Sequence, residues 1–257
     1  MVSIKTEEEI LLMREAGRIT ALAHEAVANA IKPGVTTAQL EEVAIQVIRS
    51  CGAIPAFKGE DGFPANICTS INDEIVHGIP CLTKLEKGDI VSIDIGTNYK
   101  GYFGDCAKTH PVGVISLEAK QLLEVTQQSL FEGLKMVKPG NRLGDISHAI
   151  QSYAEKYGYS IPIEYGGHGI GSELHEEPHI SNVGEANTGI TLKEGMCLAI
   201  EPMLICGKPH TRVLKDGFTV VSKDHTLAAH FEHTVLVTKE GYEILTTLSK
   251  KEDIGNG

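Results

Sequence analysis

Apolar positions along this chain follow two rhythms, a helical one of about 3.6 residues and a strand-like one of about two, and each change of rhythm marks an element boundary. The first amphipathic stretch runs to about Ala30 and opens on Thr6 and Glu9, a Thr-x-x-Glu capping box. A second helix starts at Thr36 with Gln39 and ends at Gly52. Ser116 can cap a third, to about Val137, and a fourth is predicted from roughly Leu143 to Tyr157, stopped by Gly158. Between and after them, β-branched runs bounded by glycine fall at 88–96, 100–115, 195–205, 217–222 and 229–238. No segment has low complexity and no linker divides the chain, so a single α/β domain spanning 1–257 is expected.

One strand interrupts its own pattern. In KGDIVSIDIGTN (87–98), Asp94 stands among Ile90, Val91, Ile93 and Ile95. An ionised carboxylate taken out of water costs several kcal/mol unless a cation or a base compensates it.

An internal repeat shows where the compensation lies. IKPGVTTAQLEEVAIQVIRSCG (31–52) and VKPGNRLGDISHAIQSYAEKYG (137–158) share a Lys-Pro-Gly turn, a helix and a glycine stop. Further on, KGDIVSIDIG (87–96) aligns with EGMCLAIEPM (194–203), which sets Asp94 opposite Glu201. FGDCAKTHPVGV (103–114) and HFEHTVLVT (230–238) each follow an acid, Asp105 or Glu232, with Thr and an apolar strand. Two similar halves, roughly 31–115 and 137–240, thus each bring two acids to a shared interface. Taken singly, each acid reads as a salt-bridged residue at a strand end. Four of them converging in an apolar centre repel one another and require cations, most simply a pair of divalent metals.

Histidines add to this reading. EYGGHGIGSELHEEPHI holds His168 between glycines and His175 seven residues later. His175 to His179 also fits His-Glu-x-x-His, but that zinc motif needs a continuous helix, and Pro178 removes an amide and turns Glu177 from helical geometry. The glycine cluster fails as a dinucleotide loop, because Ser172 stands where a third glycine is required.

Composition narrows the class. The 257 residues are 42% apolar, enough for a full core, and carry a formal charge of −11, which argues against a general nucleic-acid or anionic-membrane binder. The acidic opening lacks the form of a signal peptide, and no apolar run approaches the length of a membrane span. Six cysteines without a Cys-x-x-Cys pair read as reduced, mostly buried thiols, so a cytoplasmic location is expected.

INDEIVHGIP (71–80), VSIDIG (91–96), GDCAKT (104–109), GGHGIGSELHEEP (166–178), AIEPM (199–203) and HFEHTVLVT (230–238) resemble, in order and spacing, the type I methionine aminopeptidases, and the likeness runs from about residue 4 to 248. The resemblance implies the pita-bread fold, two pseudo-symmetric α/β halves around a curved antiparallel sheet. It also implies five metal ligands, Asp94, Asp105, His168, Glu201 and Glu232, holding two divalent ions. In that scheme Asp94 chelates one ion, His168 and Glu201 bind the other, and Asp105 and Glu232 bridge them. Glu201 doubles as the proton shuttle, His77 faces the departing amide nitrogen, and His175 donates to the scissile carbonyl. Four carboxylates and one imidazole favour Mn(II), Fe(II) or Co(II), with Zn(II) also compatible.

By the same resemblance Phe63, Cys68, His77, Leu174 and Phe218 form a pocket for a methionine side chain, a soft apolar surface suited to a thioether. The chain departs from the family there: Phe218 stands where many relatives have Trp, Leu174 where some have Phe, and Glu60-Asp61 replace a Tyr-His pair, which makes the rim more acidic. His110 and His230 replace an apolar residue and a Gln. Only residues 176–200 separate His175 from Glu201, leaving no space for the helical insertion of type II enzymes, and the chain is expected to lack an N-terminal extension. It is equally short of the extra domain of proline-specific peptidases and creatinase, and it keeps every ligand that non-catalytic relatives have lost. The implied substrates are N-termini of nascent polypeptides with a small second residue, processed by a monomer; transient ribosome contact is compatible with that role.

Overall fold

The computed structural model describes residues 2–248; residue 1 and residues 249–257, which the expected 1–257 domain includes, lie outside the described residues. Both capping boxes form as expected. The Thr6 hydroxyl accepts from the Glu9 amide and the Glu9 carboxylate accepts from the Thr6 amide, opening α1 (Glu7–Ala30); Thr36 and Gln39 do the same for α2 (Thr37–Ser50). Short strands β1 (Ile54–Pro55), β2 (Cys68–Ile71) and β3 (Glu74–Val76) follow, and then the long hairpin of β4 (Ile90–Tyr99) and β5 (Tyr102–Pro111).

The second half begins with α3 (Leu117–Leu134), capped by Ser116 as the sequence predicts. It stops three residues short of Val137, where the Met136 and Val137 amides tighten the last turn by donating to the Gly133 and Leu134 carbonyls. Then come α4 (Leu143–Lys156), β6 (Gly166–Gly169), β7 (Glu176–Ser181), β8 (Cys197–Ile200), β9 (Met203–Ile205), β10 (Thr211–Val213), β11 (Val220–Ser222), β12 (Ala228–His230), β13 (His233–Val237) and β14 (Tyr242–Ile244). The Gly158 stop sits at φ +81°, a left-handed turn that glycine adopts without strain. The segment 175–179 contributes to strand β7 and forms no helix, as Pro178 predicts.

All strand pairings among the described residues are antiparallel. One sheet sets β4 between β1 and β2 and adds β5 to β4; another runs β14-β13-β8-β6-β7; a third joins β10-β11-β3, and β12 pairs with β9. Two expected single strands are each broken in two, at Glu201-Pro202 between β8 and β9 and at Phe231-Glu232 between β12 and β13. Pro202 cannot donate to a ladder, so the first break has a local cause.

Each half buries its own core. α1 and α2 pack Ile19, Val27, Leu40 and Ile48 against Val91, Ile93 and Ile95 of β4. α3 and α4 pack Leu122, Leu130, Ile146 and Ile150 against Leu198, Ile200, Val235 and Val237 of the second sheet. A third cluster lies between them and contains Phe63, Cys68 and Leu174 beside Ala199 and Leu236. The expected mixed α/β architecture of two halves closing on antiparallel sheets is therefore present. Of the six cysteines, all free, Cys68, Cys106 and Cys197 are buried, Cys51 and Cys206 partly so, and Cys81 is exposed, which corrects the expectation that most are buried.

Candidate metal centre

The hairpin β4–β5 supplies two acids. Asp94 sits in β4 opposite Cys68 on one side and Ala107 on the other, and Asp105 in β5 faces Gly96, so the two carboxyls fall diagonally across the ladder. The second half supplies the other two from its strand breaks, where Glu201 and Glu232 leave the ladder. Glu232 is tied back to the first half, its amide donating to the Ala107 carbonyl at 2.8 Å. His168, on β6, completes the group.

Donor atoms of Asp105, His168 and Glu232 lie within 4.8 Å of one another. His168 Nε2 is 3.9 Å from Asp105 Oδ2 and 3.9 Å from Glu201 Oε1. Its Nδ1 lies 2.9 Å from the Gly169 carbonyl, an acceptor only, so Nδ1 carries the proton and Nε2 presents its lone pair to the carboxylates. Burial holds the His168 imidazole down to about 4, which keeps it neutral.

Burial and mutual repulsion dominate the electrostatics of the acids. Burial, and then Asp105 and Glu201, push the Asp94 carboxyl well above the usual carboxylate range. Burial followed by the other three acids does the same to Glu232. Asp105 and Glu201 are also raised, again chiefly by burial. Asp94 Oδ1, Asp105 Oδ1 and Glu232 Oε1 are buried without a hydrogen-bond partner. Buried carboxylates with orphaned oxygens around one neutral imidazole suit hard or borderline divalent cations.

A cavity of about 570 Å³ opens onto this group. All eleven residues singled out from sequence line it: the five candidate ligands, His77 and His175, and the pocket residues Phe63, Cys68, Leu174 and Phe218. Phe63 and Phe218 meet edge to face with ring centroids 5.4 Å apart. Glu60 and Asp61 form part of the rim, as expected of the acidic departure, and Glu60 Oε1 lies 3.4 Å from His175 Nδ1. Phe57 also lines the wall. Sequence reasoning missed it, for its only signal is an aromatic residue shortly before the Gly-Phe-Pro element.

The two histidines outside the ligand group differ in setting. His175 stands ring edge to face with His168, centroids 4.5 Å apart, and is half exposed. His77 has φ +60°, a left-handed conformation rare for a residue with a side chain and the kind of strain that collects at functional sites. Desolvation in the cavity wall, and then His230 and His175, lower the His77 imidazole to about 4, although the residue stays partly open to solvent. A second cavity of about 770 Å³ borders His77, His168, His175 and Glu201 and extends towards Ser3, Glu164 and Glu177.

Neither substituted histidine lines either cavity. The His230 side chain is buried with Nε2 3.1 Å from Glu201 Oε2, outside hydrogen-bond geometry. His110 pairs with Val91 across the ladder, and its Nε2 is also orphaned.

Residues 11–239 match metallopeptidase family M24. The chain is 52% identical over 246 residues to methionine aminopeptidase 1 of Bacillus subtilis, covering 96% of this chain and 99% of that protein. It superimposes on the crystal structure of methionine aminopeptidase from Rickettsia prowazekii with a TM-score of 0.94 at 45% identity, covering 96% of this chain and all of that one. Prolidase from Pyrococcus furiosus is similar with a TM-score of 0.79 at 26% identity, and there the match spans 96% of this chain but 66% of the longer prolidase. The pita-bread fold is common to these neighbours. Matched from end to end in this way, the chain belongs to metallopeptidase family M24 and, within it, to the methionine aminopeptidases.

Proposed function

We propose that this chain removes the initiator methionine from polypeptides with a free amino terminus and a small second residue, using two divalent cations held by Asp94, Asp105, His168, Glu201 and Glu232. The observation that carries the reading is the convergence of four carboxylates, three with buried orphaned oxygens, on one neutral imidazole in the wall of a cavity that also holds Phe63, Cys68, Leu174 and Phe218. Asp94, Asp105, His168, Glu201 and Glu232 would hold the cations between the two halves. When bound, the cations acidify the attacking water and stabilise negative charge on the scissile carbonyl oxygen. The donor set favours Mn(II), Fe(II) or Co(II), and Zn(II) is compatible.

The protein's own groups manage the protons and the fit. Glu201 takes the proton of the attacking water and returns it to the departing amine. His175 donates to the scissile carbonyl, and His77, held neutral by desolvation in the cavity wall, faces the amide nitrogen that leaves. Phe63, Cys68, Leu174 and Phe218 receive the unbranched thioether side chain, and the wall at His77 limits the second residue to Gly, Ala, Ser, Cys, Thr, Pro or Val.

Both pseudo-repeated halves furnish ligands, which supports reading the chain as one domain that acts as a monomer. No helix among the described residues is long and apolar enough to cross a membrane. Free cysteines and nascent-chain substrates together favour the cytoplasm, where transient ribosome contact is compatible with the role.

A peptide panel with added Mn(II) or Co(II) tests the reading. Rapid release of Met from Met-Ala-Ser is expected, none from its N-acetylated form and very slow release from Met-Lys-Ser. Comparable rates on Met-Ala-Ser and Leu-Ala-Ser would leave only a general metalloaminopeptidase, and efficient cleavage of Ala-Pro-Ser would place the enzyme with the proline-specific peptidases.

A further inference from the structure

The segment before α1 crosses the front of the second half and carries a buried cation. Lys5 has a side chain only 2% exposed, and its Nζ lies 2.6 Å from Glu176 Oε2. Burying an ammonium is unfavourable unless its partner is well placed, so such a pair is more informative about specific geometry than about stability. The path of the segment is built into the fold. The Lys5 amide donates to the Gly195 carbonyl at 2.8 Å, and Thr6, next in the chain, caps α1. A Cβ on Gly195 would meet Ile4 Cγ2 at 2.8 Å, and one on Gly171 would meet Lys5 Cε.

The other end of the pair governs a turn. While Oε2 of Glu176 binds Lys5, its Oε1 accepts from the Ser172 amide at 2.8 Å, and the Gly171 amide donates to the Glu173 carbonyl at 3.1 Å. The Phe103 amide in β5 donates to the Gly171 carbonyl at 2.9 Å, fixing the start of the turn. The turn ends on Leu174 and His175, both in the cavity wall, and His175 immediately precedes Glu176. Ser3 of the same strap borders the adjoining cavity together with His175.

We infer that Lys5 is a positioning residue for His175: its buried ammonium clamps Glu176, Glu176 folds the 171–175 turn, and the turn aims the imidazole at the scissile carbonyl. This rests on the proposed role of His175. The segment thereby acts on turnover through the 171–175 turn. Displacements of about 1 Å in such a group are sufficient to lower turnover by up to about 100-fold.

A double-mutant cycle on the metal-loaded enzyme with Met-Ala-Ser tests it. Lys5→Met is expected to lower kcat about 10- to 100-fold with KM within threefold and metal content unchanged. Combined with His175→Ala, it is expected to be no worse than His175→Ala alone. Glu176→Gln, which keeps one acceptor for the Ser172 amide but then turns its NH2 to the Lys5 ammonium, is expected to give a loss of the same order with the same non-additivity, and it serves if Lys5→Met fails to fold. Full turnover in Glu176→Gln, losses that multiply with that of His175→Ala, or turnover lost in step with bound metal would each overturn the inference. If His175→Ala itself kept full turnover, the role proposed for His175 would fall, and the strap's mode of action with it.

Discussion

Thr234 and Asp105, 129 residues apart in sequence, exchange two hydrogen bonds through a single hydroxyl: Thr234 Oγ1 accepts from the Asp105 amide at 2.9 Å and donates to the Asp105 carbonyl at 2.8 Å. Thr109 does the same in the opposite direction, accepting from the His230 amide and donating to the His230 carbonyl, both at 2.9 Å. The threonine that follows each acid of the repeat thus binds the backbone of the other half. The two stitches fix the separation of Asp105 and Glu232, one candidate ligand from each half.

Thr234→Val, isosteric but without the hydroxyl, leaves a buried amide and a buried carbonyl unpaired. A loss of about 3 kcal/mol is expected in urea unfolding at constant m value, with weaker metal binding in a titration. Thr234→Ser keeps both bonds, so its loss is expected to be about 1 kcal/mol, that of the missing methyl group.

Asp94→Asn and Glu232→Gln each remove one charge from a cluster of like charges. Turnover is expected to fall more than about 100-fold with metal content, read by elemental analysis. The metal-free variants are expected to melt above the metal-free parent, because the repulsion has been relieved, and to gain less than the parent when metal is added. Full metal occupancy with normal turnover in either variant would remove it from the ligand set.

His230 gives Oε2 of Glu201 a polar neighbour at 3.1 Å. His230→Gln supplies an amide donor there and is expected to stay within a few-fold of the parent in kcat. His230→Leu leaves that oxygen facing hydrocarbon, and kcat is expected to fall at least about tenfold. Equal rates for the two variants would show that Glu201 does not depend on this neighbour.

His110 and His24 contribute to the acid limit of the fold away from the ligand group. Burial holds His110 down to about 4 and drags His24 well below the ordinary histidine value. Both are neutral when folded, so the unfolded chain takes up protons first as pH falls below about 6.5. Stability is therefore full above that pH and is lost as pH drops towards 4, by roughly 3 kcal/mol for His110. His110→Phe, which has no proton to bind, is expected to raise the thermal midpoint at pH 5 more than at pH 8.

The sequence by itself determined what depends on neighbours three or four residues away. The caps at Thr6, Thr36 and Ser116 and the failure of 175–179 to form a helix follow from local hydrogen bonds and from proline stereochemistry, and all are as the residues dictate. The candidate centre was legible for a related reason: an acid inside an apolar strand violates the local pattern, and the repeat brings the violations into correspondence. Tertiary structure alone decided the rest. Nothing near Lys5 in the sequence identifies Glu176, 171 residues on, as its partner, and nothing near Thr234 points to the Asp105 backbone. The break at Phe231-Glu232 and the placement of Phe57 in the cavity wall depend likewise on which segments close on which. Local propensity acts through bonds within one turn or one ladder step, whereas these contacts exist only after two halves with separate cores have packed together, and no periodicity in the chain encodes that pairing.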